Sequence, residues 1–185
     1  MSNVTENLFI TGPPATGKTG MLRRLLAQRQ IQLCGFAMQR LLDDGETRAF
    51  RLLDLSTEEW KQQEVYSPAM GDIAIEPRPG GRWQGVASTF ETKGKAALQR
   101  CRDSNSLLVV MDELGICEQD AKQFQQAVLS ALDGPRPVLG IIKPKDAPFL
   151  NAVRNHPRTA IVPICPRWQA EQILTDFLAQ TQKQP

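Results

Sequence analysis

Two small groups of residues have the types and spacing to do chemistry. The first is a loop in which Gly12, Gly17, Lys18 and Thr19 fall at the G-x-x-x-x-G-K-[ST] spacing. A polyphosphate is wrapped by backbone N–H groups, and side chains at Gly12 and Gly17 would obstruct that approach. Pro13, Pro14, Ala15 and Thr16 complete the expected cradle, and Gly20 follows in the first helical turn. In such a loop Lys18 reaches the β and γ phosphates, and the Thr19 hydroxyl completes the shell of a Mg²⁺ ion. The following helix aims its positive end at the same anion. The implied ligand is a nucleoside triphosphate, bound by residues 12–20.

The second group is Asp112-Glu113, directly after the apolar run Leu107–Met111. An acidic pair at the end of a buried strand suits magnesium-nucleotide chemistry on the strand beside the loop. Asp112 is expected to hold the metal together with Thr19, and Glu113 to orient or deprotonate an attacking water. Lys18 and Glu113 are therefore the candidate catalytic residues.

The elements that must position these groups follow from periodicity. Asn7–Thr11 reads as a strand entering the loop, and Met21, Leu22, Leu25 and Leu26 repeat at helical spacing in a helix running to about Gln30. Cys34–Leu42 and Thr47–Leu55 flank the turn Asp43–Glu46, which predicts a hairpin. Residues 56–88 are broken by Pro and Gly every few residues, with Ile73–Ile75 and Trp83–Val86 as short strands, and read as an irregular or lid-like insertion. Its Arg78 and Arg82 read as solvated loop arginines. Thr89–Cys101 reads as a helix capped by Thr89. Beyond the acidic pair, helices over Ala121–Leu132, Ala147–Val153 and Trp168–Gln180 alternate with strands over Pro137–Ile142 and Thr159–Ile164. The closing helix should bury Ile173, Leu174, Phe177 and Leu178. The expected fold is a three-layer α/β/α phosphate-loop sandwich, mostly parallel, with an antiparallel hairpin extension. At 185 residues one nucleotide-binding domain over residues 1–185 is expected.

With 22 basic against 20 acidic residues, the charge balance argues for no nucleic-acid or membrane partner. No apolar run is long enough to span a bilayer, and Met1–Asn7 lacks the regions of a secretion signal, so a cytoplasmic location is expected. Cys34, Cys101, Cys117 and Cys165 form no C-x-x-C pair and read as reduced thiols.

The stretch Met111 to Glu118, followed by Phe124, resembles the D-E-[IL]-G-K-M-E…F signature of the cancer-related nucleoside-triphosphatase family, also called the thermophile NTPase family. Cys34-Gly35-Phe36, the hairpin Gly45–Leu55, Val86 through Phe90-Glu91, Ala96–Leu98 and Val138–Gly140 resemble further landmarks in the family's order. Arg167 falls where the family has a terminal Asn-Arg, which implies a nucleotide contact. Ile116 stands where the family has lysine, Cys117 where it has methionine, Gln39-Arg40 where it usually has an acidic residue, and Pro166 where it has asparagine. The chain thus resembles a divergent member, and loss of a lysine beside the acidic pair suggests slower or partner-dependent hydrolysis. The resemblance implies Mg²⁺-dependent hydrolysis of ATP, GTP and other triphosphates to diphosphate and phosphate. A cation completing the clamp could come from Arg40, Arg48, Lys143 or Arg167, with Lys143 best placed at a strand exit.

Two other readings use the same loop. One is a small-molecule or nucleotide kinase, which needs an acceptor pocket. The other is a slow nucleotide-gated module that times binding of an unknown protein partner. A monomer or weak oligomer is expected in each case.

Overall fold

In the computed structural model, residues 6–182 are described, so most of the Met1–Asn7 segment lies outside the described residues. The elements in chain order are β1 (Asn7–Thr11), α1 (Lys18–Ala27), β2 (Leu33–Asp43), β3 (Glu46–Asp54), β4 (Gln63–Val65), β5 (Ile73–Arg78) and β6 (Arg82–Gly85). There follow α2 (Ala87–Thr89), a π-helical turn (Phe90–Gly94), α3 (Lys95–Asp103), β7 (Leu108–Leu114), α4 (Lys122–Leu132), β8 (Val138–Ile142), α5 (Pro148–Arg154), β9 (Thr159–Pro163) and α6 (Arg167–Thr181).

Continuous apolar runs make the parallel strands, because helices cover both of their faces. The sheet order is β6-β5-β3-β2-β7-β8-β1-β9, with β4 paired to the outer part of β2. From β2 through β9 every neighbouring pair is parallel, and β8 is buried at all five residues. From β2 outward through β3, β5 and β6 every pair is antiparallel. This is the expected sandwich with an antiparallel extension.

Two apolar layers sandwich the sheet. Met21, Leu22 and Leu25 of α1 and Leu174 and Leu178 of α6 pack on one face, against Leu8, Ile10, Val110 and Ile141. Phe124 of α4 packs on the other, with its ring centroid 5.2 Å from Phe36 and 5.3 Å from Phe90. Burying side chains of this size contributes about 1.5–3 kcal/mol each.

Several local expectations give way to tertiary contacts. Residues 56–88 are only partly irregular: β4, β5 and β6 lie within them and extend the sheet. The helix after the phosphate loop stops at Ala27, three residues early, and Gln30 takes positive φ. Thr89 is not a cap. Its hydroxyl donates to the Ile73 carbonyl at 2.6 Å, tying the helix to β5 instead. Ile173 stays 37% exposed, while Ala170 takes its place in the interior. Cys34 and Cys101 are joined as a disulfide between β2 and α3, with Cα atoms 5.4 Å apart, in place of two separate thiols. Arg78 and Arg82 face each other at the exposed end of the β5–β6 hairpin. Among the described residues, no helix is long and apolar enough to cross a membrane.

Candidate functional site

The loop between β1 and α1 carries the glycines, and the reason for Gly12 differs from the expected one. A Cβ there would come within 2.5 Å of Ile164 Cγ2, so the chain's own C-terminal half excludes a side chain. At Gly17 an added carbon would meet the Arg167 guanidinium at 3.1 Å. The Lys18 ammonium folds over the loop, donating to the carbonyls of Gly12 at 3.1 Å and Pro13 at 2.5 Å and to the Thr16 hydroxyl at 3.2 Å. The loop thus holds its own lysine with carbonyl oxygens and leaves a buried cation at the mouth of α1.

Asp112 and Glu113 do not end β7; the strand runs on to Leu114, with its register to β8 broken between Met111 and Leu114. Nor is β7 the neighbour of β1, because β8 lies between them. That separation is about two strand spacings, roughly 10 Å. Thr19, in the first turn of α1, bridges it: its hydroxyl donates to Asp112 Oδ1 at 3.1 Å. Burial first, and then the charge of Glu113, push the Asp112 carboxyl up to about 7. The Thr19 hydrogen bond and the charges of Arg23 and Lys18 pull it the other way. A buried carboxylate beside a hydroxyl, short of counter-charge, is a hard-oxygen pair suited to Mg²⁺. The residues present therefore fit that ion.

One cavity of about 350 Å³ brings Glu113 to the phosphate loop, and Asp112 lines an adjoining pocket of about 110 Å³ together with Thr19 and Glu113. Pro14 through Gly20 line one side of the larger cavity, and Glu113, Arg40 and Lys143 line the other. Gly20 has open space where a Cβ would stand, so no protein packing accounts for it. Gly12 and Pro13 contribute carbonyls behind the cavity and do not line it. Arg167 also lies outside the lining. It leans on the loop from the start of α6, with Nη1 donating to the Thr16 carbonyl at 3.4 Å and Nε paired with Glu171, which also binds Arg24 of α1. Arg48 is elsewhere, over the Tyr66 ring. Arg40 and Lys143 are thus the candidate cations that reach the cavity. Ile116 is 45% exposed and does not line the cavity itself, although Gly115 and Cys117 on either side of it do.

Several lining residues had no role in the sequence reading, among them one buried acid. Glu118 is buried, and its Oε2 accepts from the Gly115 N–H at 2.8 Å, closing the loop after the acidic pair. Burial pushes this carboxyl up to about 7, against the pull of the Gly115 hydrogen bond and of Lys143. The Lys143 side chain crosses Gly115, with Cδ 3.1 Å from where a Cβ would stand. The available signal was Glu118 as the last acid of the Asp112–Glu118 stretch, which spacing alone does not connect to Lys143.

A sequence model of the NTPase family matches residues 7–174. The chain is similar to the nucleoside-triphosphatase THEP1 of Thermofilum pendens, 30% identical over 145 residues that cover 77% of this chain and 76% of that one. Among solved structures it is similar to THEP1 from the hyperthermophile Aquifex aeolicus, with a TM-score of 0.70 at 20% identity over 96% of this chain and 99% of that one. It is also similar to a human cancer-related nucleoside triphosphatase, with a TM-score of 0.68 at 22% identity over 97% and 99%.

Proposed function

Since the chain belongs to the NTPase family, we propose that it is a Mg²⁺-dependent nucleoside-triphosphatase that converts ATP, GTP and other triphosphates to diphosphate and phosphate. The observation that carries this reading is the 3.1 Å hydrogen bond from Thr19 to Asp112, which ties the phosphate loop to the acidic strand around one cavity.

In this reading residues 12–20 hold the phosphates, with Lys18 turning from its loop carbonyls toward the β and γ oxygens. Thr19 and Asp112 hold Mg²⁺, which supplies charge neutralisation at the phosphates when bound. Glu113, half-buried in the same cavity, orients a water in line with the γ-phosphorus and takes its proton. Lys143 and Arg40 face the developing negative charge, while Arg167 steadies the loop from α6 and flanks the bound nucleotide. Glu118 is assigned the positioning of Gly115 and Lys143. The whole chain acts as one nucleotide-binding domain, cytoplasmic and monomeric or weakly associated, with no nucleic-acid partner.

The test is phosphate release from each of four NTPs by purified protein, with Mg²⁺ and with EDTA. Release from several bases that stops with EDTA supports the reading. Affinity for ATP and GTP without turnover would replace it by a nucleotide-gated module acting on a protein partner. No heat and no protection on titration with either nucleotide would sink it.

A further inference from the structure

The cavity has two unlike ends. Around the loop it is polar, as a phosphate tail requires. At its far end, the antiparallel extension presents Met38 of β2, Phe50 of β3, Ile75 of β5 and Trp83 of β6. The Trp83 indole stands edge-on to the Phe50 ring, with centroids 5.4 Å apart and planes at 70°, and remains 43% exposed. Phosphate oxygens and an attacking water gain nothing from such a wall. A wall of this kind keeps water away, which serves transfer to an acceptor better than hydrolysis.

Its position identifies the side of the site. Met38 and Phe50, with Arg40 and Gln62, border an adjoining pocket of about 110 Å³ that also takes in Thr19, Asp112 and Glu113. Met38 and Phe50 thus carry the wall up to the acidic pair, with Ile75 and Trp83 continuing it outward on β5 and β6, at the end of the sheet opposite β9 and α6. That places the wall beyond the γ end of a bound triphosphate, where an acceptor must stand for in-line attack.

We propose that this end of the cavity is a second-substrate site for a small molecule that carries a flat heteroaromatic ring on a hydroxylated sugar, either a nucleoside or its 5′-monophosphate. The ring lies against Trp83 and Phe50, since aromatic walls take up bases through stacking and edge contacts. Arg40 and Gln62 hold the sugar or phosphate oxygens. In the transfer, the acceptor oxygen forms a bond to the γ-phosphorus and the bond to the β–γ bridging oxygen breaks, its electron pair leaving with the nucleoside diphosphate. A hydroxyl acceptor gives its proton to Glu113; an ionised phosphate oxygen has none to give. The proposal rests on the triphosphate-binding reading above, but its readout is separate.

The experiment incubates the full chain with Mg²⁺ and γ-³²P-labelled ATP plus one of five nucleosides or one of their 5′-monophosphates, and separates the labelled products. The expected result is label on at least one acceptor, with transfer falling at least tenfold in Trp83→Ala while phosphate release from ATP alone stays within twofold of wild type. Label on nucleosides or on monophosphates decides between the two sources. Label confined to inorganic phosphate with every acceptor overturns the proposal, as does transfer unchanged in Trp83→Ala. Equal loss of transfer and of basal hydrolysis in that variant overturns it as well, and Phe50→Leu, with its thermal melting curve, checks that the result is not a folding defect. Phosphate release without acceptor reports on hydrolysis alone, so label transfer in its absence would sink the hydrolase reading and keep this one.

Discussion

On the side of the parallel strands β1, β7 and β8, the groups that face the cavity are the phosphate loop, the first turn of α1, the carboxylates Glu113 and Glu118 and the ammonium groups of Lys18 and Lys143. Along the antiparallel β3, β5 and β6 they are Phe50, Ile75 and Trp83, side chains placed by strand pairing, with Phe50 opposite Ile75 and Trp83 opposite Pro77. The first half is built for charge and the second for shape. A site made from one continuous loop must keep its spacing, because backbone N–H groups cannot be moved independently. A wall made from three strands needs only bulk at the facing positions, so its composition can change while its geometry persists. Damage to the two halves should therefore differ in kind: loss of turnover on one side, loss of shape or stability on the other.

The largest effect should come from Lys18→Ala, with kcat/KM for ATP falling by roughly 10³-fold as a cation at the phosphates is removed. Measured beside Trp83→Ala, it breaks the comparison if both variants lose ATP hydrolysis to the same extent. Next is Glu118, the buried acid where the two halves meet. Its carboxyl stands at about 7 in the folded chain against 4.5 for a free glutamate, so the folded state binds the proton more tightly than the unfolded state does. The stabilising contribution is full below about 4.5 and is lost as pH rises through about 7, a difference of about 3 kcal/mol. Urea unfolding of wild type and Glu118→Gln at pH 5 and pH 8 should show the wild type losing stability relative to the variant at the higher pH. Parallel curves would show that burial of Glu118 does not raise its carboxyl in the folded chain. Third, Glu113→Gln should lower kcat by roughly 10²-fold with KM for ATP little changed, since proton removal and not binding is lost.

The phosphate-loop half was legible in the sequence because its chemistry is local. Gly12 through Thr19 are consecutive, and Asp112-Glu113 follows a run that only a doubly covered strand explains. What was not legible was distance. Nothing in the spacing tells that β8 inserts between β1 and β7, since strand order is decided by crossovers the sequence does not mark. The same limit hid the extension. Ile73–Ile75 and Trp83–Val86 were readable as short strands, yet Pro77 and the Gly80-Gly81 turn disguised a hairpin in which Pro77 lies past the residues of β5 that pair with β3, so no ladder bond on that side needs its N–H. Cys34 and Cys101 are 67 residues apart, and only the docking of α3 on β2 brings them within reach.

The smallest effect concerns the hairpin from which the extension starts. Asp43 and Glu46 pair across a two-residue turn in which Asp44 and Gly45 have φ of 48° and 82°. Both central residues are thus left-handed, the backbone an Asp-Gly turn favours because its twist matches that of the flanking strands. A Cβ at Gly45 would meet nothing within 4 Å, so Gly45→Ala introduces backbone strain and no clash. That strain costs about 1–2 kcal/mol, which corresponds to a fall in Tm of roughly 2–8 °C for a domain of this size. Because the turn lies at the end of β2 remote from the acidic pair, ATP hydrolysis should stay within twofold of wild type at temperatures well below the transition. If hydrolysis fell in step with Tm, the hairpin and the phosphate loop would be one cooperative unit, and the division between a charge-building half and a shape-building half would have to be redrawn around β2 itself.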